Sequence, residues 1–301
     1  MSNTADPLDA RAAPRAQSGR LHRLLPWLGL VPFLAFTAAF LLVPSVKLIV
    51  GSFQDSAGHL TLANYADFTT KIVINAYQTS IEISLVTAIG AGFFGFLLAY
   101  AVISGGLPKP IRAAVLTFSG VASNFAGIPL ALAFIFTIGR VGLLTVFLKT
   151  IGIDPYKTGF NLYSKVGLEL VYFYFQLPLM ILVIAPAIDG LKREWREAAE
   201  NLGASSFEFW RRVALPILMP SILGSVMLLF GNAFGAQATA YQLTGGLINL
   251  VTLLVGDKLS GDVLHEPGKG FALAVGMIAI MAVALAGYAL LQRRAERWRR
   301  A

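Results

Sequence analysis

The sequence predicts an all-α membrane protein that crosses the bilayer six times, and three observations predict it. Hydrophobic residues make up 56% of the 301-residue chain, more than one buried core and its polar shell require. Several runs stay apolar on every face for about 20 residues, enough to cross a hydrocarbon layer of roughly 30 Å. A soluble helix of that length would instead show a polar face. In lipid the backbone polar groups have to be satisfied within the segment, which makes each run a helix.

The spans read, in order, Trp27–Val50, Ile81–Val102, Ala113–Gly139, Leu168–Ile188, Val213–Phe234 and Phe271–Leu291. Residues 1–24 form a lead rich in Ala, Arg, Pro and Ser, a composition that marks disorder. The first span is too long for the apolar region of a cleavable signal, so the transmembrane domain is placed at 25–292. The third span contains SGVASN (119–124) and the fifth runs into GNAFGAQAT (231–239), so both are interrupted by glycines and polar residues. The fourth holds the aromatic run Tyr172-Phe173-Tyr174-Phe175, and a basic tail, 293–301, follows the sixth. The connections Gly51–Ser80 and Arg140–Val166 are long enough for short surface helices, one of them starting at TLANYADF (61–68). No internal repeat is evident.

Lys and Arg set the orientation. With the N-terminus in the cytoplasm, 16 of the 24 basic residues fall in the segments 1–25, 103–112, 189–212 and 292–301. Both termini are then cytoplasmic. The net charge of +8 is a signature of topology, since no soluble basic domain exists to form a nucleic-acid surface.

Several chemistries are excluded. There is no cysteine, hence no disulfide, iron–sulfur cluster or thiolate metal site. His22, His59 and His265 lie outside the spans, where none can serve as an axial haem ligand within the bundle. The nearest approach to a phosphate-binding GxxxxGK[ST] loop is PGKG at 267–270, which lacks the first glycine and the hydroxyl residue. No cofactor is expected on this chain. A membrane enzyme would need His, Cys or carboxylates clustered inside the bundle, and a self-sufficient carrier usually has more spans and midplane charges; neither is present.

The densest charge lies between spans four and five, in LKREWREAAENLGASSFEFWRRVALPIL (191–218). Helix formers run from Glu194 to Leu202, with Ala198, Ala199 and Leu202 on one face. Gly203 falls where a helix C′ residue takes positive φ. Ser205 and Glu208 fit a capping box that starts a second helix leading into span five. Helix, glycine turn and helix therefore lie at the membrane surface. Physics alone leaves open whether this is an interfacial hairpin or a docking site, in which the Ala pair admits a partner's backbone.

This stretch resembles the EAA signature of permease subunits of type I ABC importers: Glu197-Ala198-Ala199, Gly203, then Val213, Leu215 and Pro216, with Val213 where the family usually has Ile. The resemblance covers about residues 75–292 and implies the permease fold of that family. It further implies that 191–212 is a coupling loop docking on separate ATPase subunits, with Glu197, Ala198, Ala199, Gly203, Leu215 and Pro216 as coupling residues. A second permease chain, an external solute-binding protein and a bacterial inner-membrane location are implied as well, with ATP bound by the partner subunit. NY at 64–65 and LLAYAVIS resemble the same permease class, while ATAYQLTGG (238–246) followed by GDVLHEPGKGFALAVGM (261–277) resembles its polyamine, ferric iron and aminophosphonate branch, which makes a polyamine-like solute the expectation.

Asn124, Asn232, Gln237 and Thr239 are costly in lipid unless they face the bundle interior or a wet cavity, and broken helices are where transporters place substrate. Asn124, Asn232 and Gln237 are the candidates for the solute path. Glue between helices is the competing role. Glu82, Glu169 and Asp189 lie at span ends, where interfacial water accounts for them. The aromatic run is either an amine cage or an interfacial belt.

Overall fold

The computed structural model describes residues 29–260 and 266–300, with side chains to Arg293. The lead at 1–24, the start of the first span, part of GDVLHEPGKG and most side chains of the basic tail lie outside the described residues. The described residues are helical apart from turns and one isolated bridge between Gln54 and Leu60.

Among the described residues, six helical segments are long and apolar enough to cross a membrane. Helix α1 is Val31–Ser52 and α2 is Lys71–Ser104. The third hydrophobic region is divided into α3 (Lys109–Asn124), α4 (Gly127–Ile138) and α5 (Leu143–Thr150). Then come α6 (Lys165–Asp189), α7 (Arg193–Asn201) and α8 (Ser206–Phe234). Helices α9 (Gln237–Thr244), α10 (Val251–Ser260) and α11 (Pro267–Arg300) complete the chain. The single span expected over Ala113–Gly139 is thus two helices, and the third candidate span is instead Gly127–Thr150, made of α4 and α5, with α3 outside it. The stretch SGVASN is itself helical, and the break falls just after it.

Helix α2 begins ten residues before the apolar run that announces it. Its first turns, KIVINAYQTS, are too polar to score as lipid-soluble, yet Thr70 caps them by accepting from the Val73 N–H. At 34 residues, α2 is about 50 Å long, so it projects beyond the hydrocarbon or tilts within it.

The chain divides into two compact units, 1–50 and 51–301. In the second, α2 packs along α6, and α8 lies against both. The contact is close because α2 presents small residues inward. A Cβ on Gly95 would stand 2.7 Å from the Met180 Cβ, and one on Gly92 2.8 Å from a Val226 methyl. Without a hydrophobic drive between helices in lipid, such close packing is the main source of association. The large side chains of α2 that remain exposed, such as Phe93, Phe94 and Leu98, face outward where lipid is the solvent.

Two wide turns have one cause. In α1 the Val43 N–H bonds Ala38, and in α8 the Leu215 N–H bonds Trp210, each reaching back five residues. The next residue in each case is a proline, Pro44 or Pro216. A proline lacks the N–H and collides with the carbonyl four residues earlier. Widening the turn just before it relieves the collision while the helix continues.

Candidate solute path and coupling loop

The breaks in the two interrupted spans have the same backbone form. Between α3 and α4, Phe125 has φ −82°, ψ 82° and the Ala126 N–H bonds the Asn124 carbonyl at 3.1 Å. Between α8 and α9, Ala236 has φ −76°, ψ 77° and the Gln237 N–H bonds the Gly235 carbonyl at 2.9 Å. Each is an inverse γ-turn. Gly127, at φ +72°, opens α4 in a conformation that a side chain would resist.

The two breaks are fastened together. The Gly127 N–H donates to Thr239 Oγ1 at 2.9 Å, so the freed amide of one span is satisfied by a hydroxyl of the other. The Tyr172 hydroxyl of α6 donates to the Ala236 carbonyl at the centre of the second turn. Broken helices in a membrane leave backbone groups that need partners from neighbouring elements, and here two side chains supply them. Thr239, expected near the path, is buried and acts as a fastener. No sequence signal separates that role from path lining, because the partner is 112 residues away.

The three path candidates are exposed on this chain. Asn124 closes α3, and its amide donates to the Gly120 carbonyl of its own helix at 2.8 Å. Asn232 lies in the last turn of α8, before the second break. Gln237 opens α9, and its amide reaches Gly256 of α10, where a Cβ would stand 2.3 Å from Nε2. The first break lies against α9, with Gly127 facing Ala238. The residues flanking the two turns therefore meet at one junction, and none of the three amides bridges two spans through a hydrogen bond among the described residues.

The surface loop follows its local chemistry. Helix α7 ends in a Schellman arrangement: Ala204 N–H to Ala199 O at 3.0 Å and Gly203 N–H to Glu200 O at 2.9 Å. Gly203 has φ +79°. Ser205 and Glu208 form both halves of the capping box. Glu197 pairs with Arg193 and Glu200 with Arg196, both at i,i+4. Ala198 is exposed and Ala199 half-buried, while Leu202 is 88% and Phe207 71% exposed. Two large apolar side chains thus stand open on either side of the glycine turn. Leu215 and Pro216 lie apart from this surface, in α8 just after the wide turn.

Two of the three acidic candidates are held in ion pairs, and Glu169 has none among the described residues. Glu82 pairs with Lys165 at 2.5 Å and Asp189 with Arg112. The aromatic run does not form a cage. Helical periodicity turns Tyr172 and Phe175 inward and leaves Tyr174 exposed. Gln176 belongs to no sequence motif, yet it is fully buried on α6 and donates to Thr87 at 2.8 Å, and its Oε1 has no partner among the described residues. Its signal was a lone amide within an apolar run.

Residues 143–297, just over half of the chain, match the family described as the binding-protein-dependent transport system inner membrane component. The chain belongs to this family. It is a permease subunit of an ABC importer and not itself an enzyme. It is 27% identical over 229 residues to the sulfate transport system permease protein CysT of Salmonella typhimurium, covering 75% of this chain and 78% of that one. It is 26% identical over 273 residues to the spermidine/putrescine transport system permease protein PotB of Haemophilus influenzae, covering 85% and 92%. Its fold matches a chain of a bacterial ABC transporter for the acidic polysaccharide alginate, at TM-score 0.70 and 17% identity over 91% of this permease and 96% of that chain. The relatives include sulfate and polyamine permeases at like identity, so the narrower branch expected from ATAYQLTGG and its neighbours is not singled out.

Proposed function

We propose that this permease passes its solute along the junction of the two broken spans, driven by a separate ATPase that docks on the α7 loop. The observation that carries the reading is the pair of matching inverse γ-turns fastened by Gly127 and Thr239, with Asn124, Asn232 and Gln237 exposed around them. An exposed amide at a helix break inside a membrane protein has a use if a wet path runs past it. A path of this kind is completed by a second permease chain placed against the same face.

The α7 loop has the geometry of a rigid docking element. Its turn is fixed by the Schellman bonds and its next helix by the capping box, so a push on Leu202 or Phe207 is passed into α8 without loss in a slack linker. Helix α8 ends at the second break, which puts docking surface and junction on one continuous element. ATP is held and hydrolysed on the partner, and an external binding protein delivers the solute. In this reading both termini and the α7 loop are cytoplasmic, in a bacterial inner membrane.

The solute is small and polar, with a polyamine as the first reading, supported by the similarity to the spermidine/putrescine permease over nearly its whole length. Sulfate is the second, supported by the similarity to the sulfate permease; ferric iron and aminophosphonate follow from the motifs at 238–246 and 261–277. Side-chain amides both donate and accept and so suit either charge. The permease co-purified with its ATPase and binding protein, reconstituted and given labelled spermidine or sulfate with and without ATP, tests both points. ATP-dependent uptake of one solute supports the reading, and uptake that persists without ATP overturns it.

A further inference from the structure

A groove of about 360 Å³ opens away from the junction, between the ends of α2 and α6 and the start of α8. Its rim carries Lys192, Arg193 and Arg196, and its floor is largely apolar, with Tyr100 packed edge-on against Trp210 at 4.7 Å. The charge on the rim is only partly neutralised. Asp189, the carboxylate in the lining, is paired with Arg112. Glu197 and Glu200 engage their arginines through Nε, leaving the terminal guanidinium nitrogens without a hydrogen bond among the described residues. Lys192 has no carboxylate partner among them, and its ammonium lies 6.0 Å over the Trp195 ring.

We infer that this groove holds the headgroup of an anionic phospholipid, with the phosphate among Lys192, Arg193 and Arg196 and the glycerol and first methylenes on Tyr100 and Trp210. Two features select a lipid over a soluble anion. Three membrane helices end here, at Ser104, Asp189 and Ser206, and the groove between them is lined by Tyr100 and Trp210, residue types that concentrate at membrane surfaces. A free phosphate would satisfy the cations but leave the aromatic floor wet, whereas a phospholipid covers both. Basic pockets between membrane helices bind such headgroups through this combination. A headgroup here bridges α7 to the ends of α2 and α6 and steadies the docking loop. The choice of cytoplasmic leaflet rests on the proposed orientation; the binding itself does not.

The test uses the full chain in neutral detergent, equilibrated with phosphatidylglycerol, phosphatidylcholine or inorganic phosphate, with retained lipid counted by native mass spectrometry and melting followed in parallel. Phosphatidylglycerol should be retained and should raise the melting temperature, and the other two should do neither. Lys192→Gln, Arg193→Gln and Arg196→Gln combined should weaken retention on the order of 10- to 100-fold. Lys192→Arg, Arg193→Lys and Arg196→Lys combined should preserve it. Undiminished retention by the glutamine triple variant, equal protection by phosphate, or loss of retention in the charge-preserving variant each overturns the inference. Because no ATPase and no bilayer orientation enters the measurement, its failure leaves the coupling reading standing, and failure of coupling leaves this result standing.

Discussion

Thr239 Oγ1 accepts the Gly127 amide proton at 2.9 Å, tying together two helix breaks that lie 112 residues apart in the chain. Thr239 is buried, so water does not replace this bond readily when it is lost. Thr239→Val should lower the stability of the purified permease by roughly 0.6 kcal/mol, the average for hydrogen bonds between membrane helices, and by no more than about 1.7, and should lower uptake with it. Thr239→Ser should preserve both. Thermal unfolding and uptake on the same preparations check this, and a Val variant with parental melting and transport would remove Thr239 as the fastener.

The glycine turn gives a second expectation. A Cβ at Gly203 meets nothing within 4 Å, so any penalty there comes from the backbone at φ +79° and not from a clash. Left-handed geometry costs an L-residue roughly 1–2 kcal/mol, with Asn among the more tolerant. Gly203→Val should therefore disturb the α7 loop and abolish uptake with membrane insertion intact, while Gly203→Asn should retain much of it. Co-purification of the ATPase with each variant is the measurement, and normal ATPase retention and uptake by the Val variant would count against coupling through this loop.

Asn124 and Asn232 are expected to separate transport from stability. Neither forms a hydrogen bond between spans among the described residues, so Asn→Leu at either position should leave melting unchanged and reduce solute-stimulated ATPase activity in the assembled complex. A melting loss of about 1 kcal/mol, the scale of helix glue, with stimulation preserved per folded complex would assign these residues to packing instead.

Glu266 anchors a polar cluster at the start of α11, paired with Lys258 at 2.5 Å and Lys269 at 2.9 Å, the latter also 3.4 Å from Asp67. Hydrogen bonds from Lys258 first, and then Lys269, hold its carboxyl below the usual range. Its folded pKa being lower than its unfolded one, the stabilisation is present above the unfolded value of about 4.3 and is lost as pH falls through the folded value. The melting difference between the permease and Glu266→Gln should be visible at neutral pH and vanish in acid. A difference that grows on acidification contradicts the pairing.

Orientation is open to a direct check. Reporter fusions after Arg112 and Ser205 should read cytoplasmic, and those after His59 and Ile151 external. An external reading at Ser205 would remove the α7 loop from reach of a cytoplasmic ATPase.

What the sequence determined by itself is what local chemistry controls. Apolar length fixed the number of spans, because a backbone in lipid has no other way to satisfy its polar groups, but not their bounds: the third lies at Gly127–Thr150 and the second starts at Lys71. Gly203, Ser205 and Glu208 fixed the turn and cap of the surface loop, because each acts on residues within five positions of itself. The interruptions of the third and fifth hydrophobic regions were also legible, although SGVASN proved helical and the turn fell one residue beyond it. The tertiary structure decided everything that depends on distant partners. Thr239 could not be told from a path residue until Gly127 was beside it, and Tyr172 and Gln176 gained their roles only when packing brought the Ala236 carbonyl and Thr87 beside α6. The basic rim of 192–196 became one wall of a groove only when the ends of α2 and α6 supplied its floor. Periodicity and capping are carried by nearest neighbours along the chain, whereas a buried polar group takes its role from whichever helix packing brings to it.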